Sequence, residues 1–375
     1  MWKTTITFIA LSFLGMACSD SDTLSVSEII DKSGNKILLC HYQNIPEEKQ
    51  KLNLSDLVED LKIVHFENSD TAVFHYRSKP TISDNYVGIA QERSSFLLFD
   101  HSGRFKCQVG NIGQGPGEYP KMIYDAIIDE KNEEIYLSSF GFSNKILVYD
   151  LNGRYKRYYQ TSYRLNKPKI MLGENRDLTI MHLPFRDRTN ENILISVFDQ
   201  QGNLKKRLKS VEYLLSDDFS QDLFAVHNVP QLSFFITSCD TLYHYNSEKN
   251  QIIPKLTMDF GSIEEKPTHI YYEIPSHYIV FIFGKGTIFI DKKTKTAKYM
   301  QIVNDLCGHM ERPQFGYKNG WAYAMLEPNH FIEWIKERLD NNDCSEQDKK
   351  LLKPLLQSLN EEDNNVLLMA KLKQL

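Results

Sequence analysis

The sequence contains no CxxC pair, no HxH or HExxH histidine spacing and no GxSxG elbow. The first two absences remove the common zinc and thiol-redox motifs. The third removes the strained nucleophile turn of the α/β-hydrolases. No two carboxylates can be set opposite one another from spacing alone, so a two-acid mechanism has no support either. This reading therefore assigns no catalytic residues, no metal ligands and no cofactor. Positive charge is not in excess: 44 Lys and Arg stand against 49 Asp and Glu, a formal net charge of −5. That removes an overall basic field for nucleic acid.

What is present begins with an export signal. Lys3 is followed by the apolar stretch Ile6 to Met16, which is too short to span a bilayer as a mature helix. Ala17-Cys18 and a polar Ser19-Asp20-Ser21-Asp22 run come next. Residues 1–17 read as a lipoprotein signal peptide, with Cys18 as the lipidated N-terminus. The membrane is then a partner through this lipid, and the expected location is the cell envelope, at the outer membrane. Five further cysteines (Cys40, Cys107, Cys239, Cys307, Cys344) are an odd number, so at least one has no partner within the chain.

A repeat follows, with a period near fifty. Its clearest copies are Phe96-Leu97-Leu98-Phe99-Asp100-His101-Ser102-Gly103, Ile146-Leu147-Val148-Tyr149-Asp150-Leu151-Asn152-Gly153 and Ile195-Ser196-Val197-Phe198-Asp199-Gln200-Gln201-Gly202. Each is an apolar strand running into a tight turn. The Asp accepts backbone N–H bonds, and Gly three places on supplies the left-handed residue. Degenerate copies turn at Asn246 and Asp291, with Lys249 and Thr294 in the glycine position, so those turns must differ in geometry. Several strands per repeat at this period are the mark of a propeller. The 20 Tyr and 21 Phe favour strands as well.

The repeat region, less a helical piece, divides into about six units. Residues 18–58 are then a tether and lead-in segment, and 59–375 an all-β, six-bladed β-propeller. The ring must pair its last blade with its first, or two sheet edges stay open. Leu61–Phe66 and Asn365–Lys373 are expected in one blade with Phe315–Tyr317 and Trp321–Leu326, the N-terminal strand outermost. Residues 328–363 carry apolar side chains at helical spacing (Phe331, Ile332, Ile335; Leu352, Leu355, Leu359) and read as a helical hairpin inserted in this last blade.

After the first hairpin comes Val109-Gly110-Asn111-Ile112-Gly113-Gln114-Gly115-Pro116-Gly117-Glu118-Tyr119-Pro120. This run, with Leu54–Asp60 and the closing Lys371-Leu372-Lys373, resembles the six-bladed, NHL-like β-propeller lipoproteins of Bacteroidetes. The resemblance implies the fold and export, and supplies no catalytic residues. Gly113, Gly115, Pro116, Gly117, Glu118 and Tyr119 are expected as a structural inter-blade turn. A phosphate loop is excluded, because no Lys-Ser/Thr follows and Pro116 has no N–H to offer.

By analogy of fold, a ligand would sit at the channel mouth, among the inter-blade loops and the loops between second and third strands. Those loops carry Arg93, Lys145, Arg186, Arg188 and Lys285, a local basic mouth suited to an anionic sugar or carboxylate. The leading function is a binding module for a glycan, a peptide or an envelope protein. The alternatives are a channel-mouth lyase or hydrolase of the NHL-like type, and a structural envelope protein.

Overall fold

The structure is a computed structural model that describes residues 25–374, apart from 33, 75–76, 121, 141–142, 174, 187–190 and 263–265. The signal peptide and Cys18 lie outside the described residues.

The apolar runs at 96–99, 146–149 and 193–198 are buried along their length. A strand reads this way when both of its faces are covered. Here the flanking blades cover them. The outer strands, such as Tyr155–Gln160 and Leu204–Lys209, are largely exposed and polar.

Six sheets of this kind form the ring. Blade 1 is Lys79–Ile82, Tyr86–Ala90, Phe96–Asp100 and Phe105–Val109. Blade 2 is Ile123–Asp129, Glu134–Ser139, Lys145–Asp150 and Tyr155–Gln160. Blade 3 is Lys169–Leu172, Leu178–Met181, Ile193–Phe198 and Leu204–Lys209. Blade 4 is Leu223–Val226, Leu232–Ile236, Thr241–Asn246 and Gln251–Asp259. Blade 5 is His269–Glu273, His277–Ile282, Gly286–Asp291 and Ala297–Val303. Blade 6 combines Gly316–Lys318, Trp321–Leu326 and Val366–Leu372 with Val58–His65 from the other end of the chain.

Blade 6 holds the four segments expected of it. Val366–Leu372 lies between Trp321–Leu326 and Val58–His65, antiparallel to both, and Val58–His65 is outermost.

Of the tether and lead-in segment expected over residues 18–58, the part from Ser27 onward adds strands to the ring. Ser27–Lys32 and Asn35–His41 form a hairpin whose second strand runs parallel to the outer strand of blade 4. Gln50–Asn53 then adds to blade 5 in the same parallel sense. The chain thus runs along the outer edges of blades 4, 5 and 6 in turn. Open edges attract strands, and the segment carries apolar side chains to bury there: Ile37, Leu38, Cys40 and Leu54 are all within the core.

The turn glycines have a second role that sequence alone does not show. Gly103 has φ +82°, and a Cβ on it would lie 1.9 Å from the carbonyl oxygen of His65, at the end of blade 6. Gly153 repeats this against Gln108 at the end of blade 1, at 2.1 Å. The Glu67 and Gly110 amides donate to the carbonyls of these two glycines. Gly202 keeps the positive φ but has nothing near its Cβ position. In blades 4 and 5 the positive φ moves one residue on, to Asn250 and Lys295. That is the altered geometry expected of their turns.

The helical hairpin is α1, Pro328–Asp340, and α2, Glu346–Ser358. Phe331 and Ile335 of α1 and Leu352 of α2 are buried in a cluster with Leu54, Phe315, Leu326 and Leu368. Ser345 and Asp348 cap α2 reciprocally. Asp348 also takes His309 at 2.9 Å and Arg338 at 3.1 Å, which ties both helices to the link between blades 5 and 6.

Candidate functional site at the channel mouth

Inner strands bring their first residues together on one side of the ring. Lys79 opens the inner strand of blade 1 and Lys169 that of blade 3. Tyr124 and Asp125 stand near the start of blade 2, and Asp222 immediately precedes blade 4. Lys318 reaches in from blade 6.

Tyr124 is the centre of this group. Its ring stacks on Phe140 at 5.7 Å and 29°. The Lys169 ammonium lies 4.4 Å from the ring centroid and that of Lys79 5.6 Å. Both are within cation–π range. The Tyr124 hydroxyl donates to Asp222, which also accepts from the Leu223 amide at 2.7 Å. Asp125, buried, accepts from the Ile170 amide at 2.9 Å and from the Lys318 ammonium.

Both acids are therefore engaged. Among the described residues, Lys79 and Lys169 have no hydrogen-bond or ion-pair partner, only the Tyr124 ring. Burial pushes the Lys169 ammonium down to about 8; Lys318 and Lys79 add to this, and Asp125 and Asp222 oppose it. Burial and the Asp222 charge push the Tyr124 phenol up.

The other end of the ring is tied across by Asn228. This buried amide donates to the carbonyls of Glu273 at 2.9 Å and Tyr317 at 3.1 Å, and accepts from the Gly320 amide at 3.0 Å. One side chain so joins blades 4, 5 and 6. On this side lies a cavity of about 370 Å³ lined by Thr81, Ile170, His227, Asn319 and Trp321 among others.

The described residues picked from the sequence stand at the loops between the second and third strands of blades 1, 2, 3 and 5. Arg93 is exposed, with Glu92 at 3.7 Å. Lys145 lies 4.4 Å over the ring of Tyr158, on the outer strand of its own blade. Arg186 is bound by Glu212 and, at 3.0 Å, by Asp217. Lys285 sits in the turn before the third strand of blade 5. Arg188 lies outside the described residues. Neighbouring acids and rings take up three of the described ones.

The glycine-rich run serves as a latch between blades 1 and 2. Tyr119 is fully buried; its hydroxyl donates to the Val109 carbonyl and accepts from the Phe96 amide, both at 2.8 Å. The Glu118 carboxylate accepts from the Gly115 amide at 2.8 Å and fills the space a Cβ on Gly113 would need. Tyr149 of blade 2 donates to the Gly117 carbonyl at 2.8 Å.

Lys79 and Lys169 escaped the sequence reading. Lys-Pro or Pro-Lys occurs at 79–80, 120–121, 168–169 and 266–267, each at or just before an inner strand, but also at 254–255 in an outer strand and at 353–354 in α2. Proline suits the first residue of a strand, yet the pair alone does not tell which lysines face the mouth.

A larger cleft of about 620 Å³ lies between Gln50–Asn53 and α1. Its charges are matched within it: Lys51 with Glu311 at 2.8 Å, and Arg338 with Asp348 at 3.1 Å. At the channel mouth, among the described residues, Lys79 and Lys169 are left without a matching acid.

Residues 41–371 match the family described as Domain of unknown function (DUF4934). The solved structure of a protein described as exported, from Bacteroides fragilis, shares 18% identity with this chain at a TM-score of 0.63. The likeness covers 87% of this chain and 98% of that one, and it is a likeness of fold. An auxiliary nutrient binding protein from Bacteroides ovatus gives a TM-score of 0.39 at 10% identity, over 64% of each chain. The periplasmic gluconolactonase of Pseudomonas aeruginosa gives 0.39 at 12%, over 61% of this chain and 69% of that one. No curated protein matches the sequence.

Proposed function

We propose that this chain, which belongs to the DUF4934 family, is an exported, lipid-anchored, NHL-like propeller that binds a small anionic ligand in its channel mouth. One observation carries the reading. Lys79 and Lys169 share the Tyr124 ring and lack a carboxylate, while Asp125 and Asp222 are both engaged. The partly buried ammonium of Lys169, with no ion-pair partner, is held at a free-energy cost. A ligand carboxylate removes it. The stacked Tyr124 and Phe140 offer an apolar face beside that charge, the usual mixture in a small-molecule site. An acidic sugar has both features.

The test is a thermal-shift panel of acidic sugars, their neutral counterparts and short peptides. At 100 times its dissociation constant a ligand adds about 2.7 kcal/mol, a rise of a few degrees in midpoint for a protein of this size. We expect a shift with acidic sugars alone. Lys79→Ala and Lys169→Ala abolish it, and Arg186→Ala leaves it intact because Arg186 already has two acids. A shift lost with Arg186→Ala and kept in both lysine variants overturns the site.

The anchor is tested apart. Full-length protein with Cys18→Ser is expected to leave the membrane fraction and appear soluble. Retention in that fraction rejects lipidation at Cys18.

A further inference from the structure

We infer that Lys169 is an imine-forming amine, and that the mouth takes a small carboxylate bearing an aldehyde or ketone carbon. This rests on the proposed anion site and adds a covalent step to it.

A lysine reacts with a carbonyl only through its neutral form, with the lone pair free. Several lysines of this protein fail that condition. Lys292 is bound to Glu273 at 2.7 Å, Lys156 to Glu134 at 2.6 Å and Lys318 to Asp125. Lys169 meets it. Its amine lies over a ring face, without an acceptor among the described residues. Burial, helped by Lys318 and Lys79 and opposed by Asp125 and Asp222, disfavours its charged state, and at pH 7.5 a value of about 8 leaves roughly a quarter of it neutral, against about 0.1% for an ordinary lysine.

Lys79 supplies the second half of the site. Its ammonium faces the same ring from the adjacent blade and is exposed. It can hold a carboxylate while the carbonyl carbon meets Lys169. The lone pair of Lys169 Nζ then adds to that carbon, and the C=O π pair moves to oxygen, which is protonated. Loss of this oxygen as water, with the protons from nitrogen, leaves a C=N bond. Amine and carbonyl become imine and water, with no change of oxidation state.

The probe is glyoxylate, reduced in place with cyanoborohydride and followed by intact-protein and peptide mass spectrometry. The expected result is one dominant carboxymethyl adduct on Lys169, formed about ten-fold or more faster than on the exposed Lys293. Its rate should rise with pH through a midpoint near 8. Lys169→Arg removes the adduct and preserves the charge. Mapping on the unaltered protein makes the result independent of how that variant folds. Even labelling across exposed lysines, with the acidic-sugar shift intact, overturns the imine and leaves the binding site standing. Even labelling with no shift overturns both.

Discussion

Truncation after Asn365 is expected to leave a protein with no cooperative thermal transition. Val366–Leu372 is the third strand of blade 6 and pairs on both sides. Val366, Leu367, Leu368, Met369, Ala370 and Leu372 are each at most 1% exposed. At roughly 1.5–3 kcal/mol for each large side chain, their burial amounts to about 10 kcal/mol. That is comparable with the whole stability of a domain, about 5–15 kcal/mol. The loss is also topological. Val58–His65 would be left with no partner strand, and Trp321–Leu326 with an open edge, so the ring would no longer close. Circular dichroism melts of the full and shortened chains decide it. A cooperative transition at an unchanged midpoint would mean that the ring closes elsewhere. Stopping after Lys373 instead should change little, since the strand is then complete.

Replacement of Glu273 by Ala is expected to lower stability by about 3–5 kcal/mol at neutral pH. Glu273, 2% exposed, binds Lys292 at 2.7 Å, and it also accepts from His244 at 2.6 Å and from Ser233. These groups join blades 4 and 5. Burial raises the carboxyl, but His244 and Lys292 outweigh it and hold it down to about 2. A carboxyl depressed in the folded state stabilises above its unfolded value, about 4.3. That contribution, about 3 kcal/mol, is lost as pH falls from there through about 2. Urea titrations at pH 7 and pH 3 therefore test both parts. The gap between the natural protein and Glu273→Gln should narrow on acidification. A gap that is constant with pH would show that the carboxylate charge contributes nothing.

Local chemistry made the scaffold legible. An Asp followed three residues later by Gly is a turn by its own hydrogen bonds: Asp150 accepts from the Asn152 and Arg154 amides at 2.9 and 2.8 Å, as the pattern implies. A middle strand shows itself because both faces are buried, which leaves an unbroken apolar run. Trp321–Leu326 and Val366–Leu372 could be paired for the same reason, together with the need to close a ring. The strands at 27–32, 35–41 and 50–53 were not legible. They add to edges, and no repeat predicts an edge partner.

Charge was read less well than pattern. Loop position suggested Arg93, Lys145, Arg186, Arg188 and Lys285, but a loop places a charge without saying which acid or ring will reach it. Glu212 and Asp217 reach Arg186, and Tyr158 lies under Lys145. Lys79 and Lys169 are 90 positions apart and belong to no motif. Only the closed ring sets them over one tyrosine.

Sequence by itself thus determined the blade: its turns, its buried middle strands, the number of copies and the strand that closes them. Each of these is fixed by interactions within a few tens of residues, or by the requirement that no edge stay open. Tertiary structure alone decided the site. Radial symmetry carries the inner strands to the axis, and there the balance of charge depends on which partners each lysine does not find.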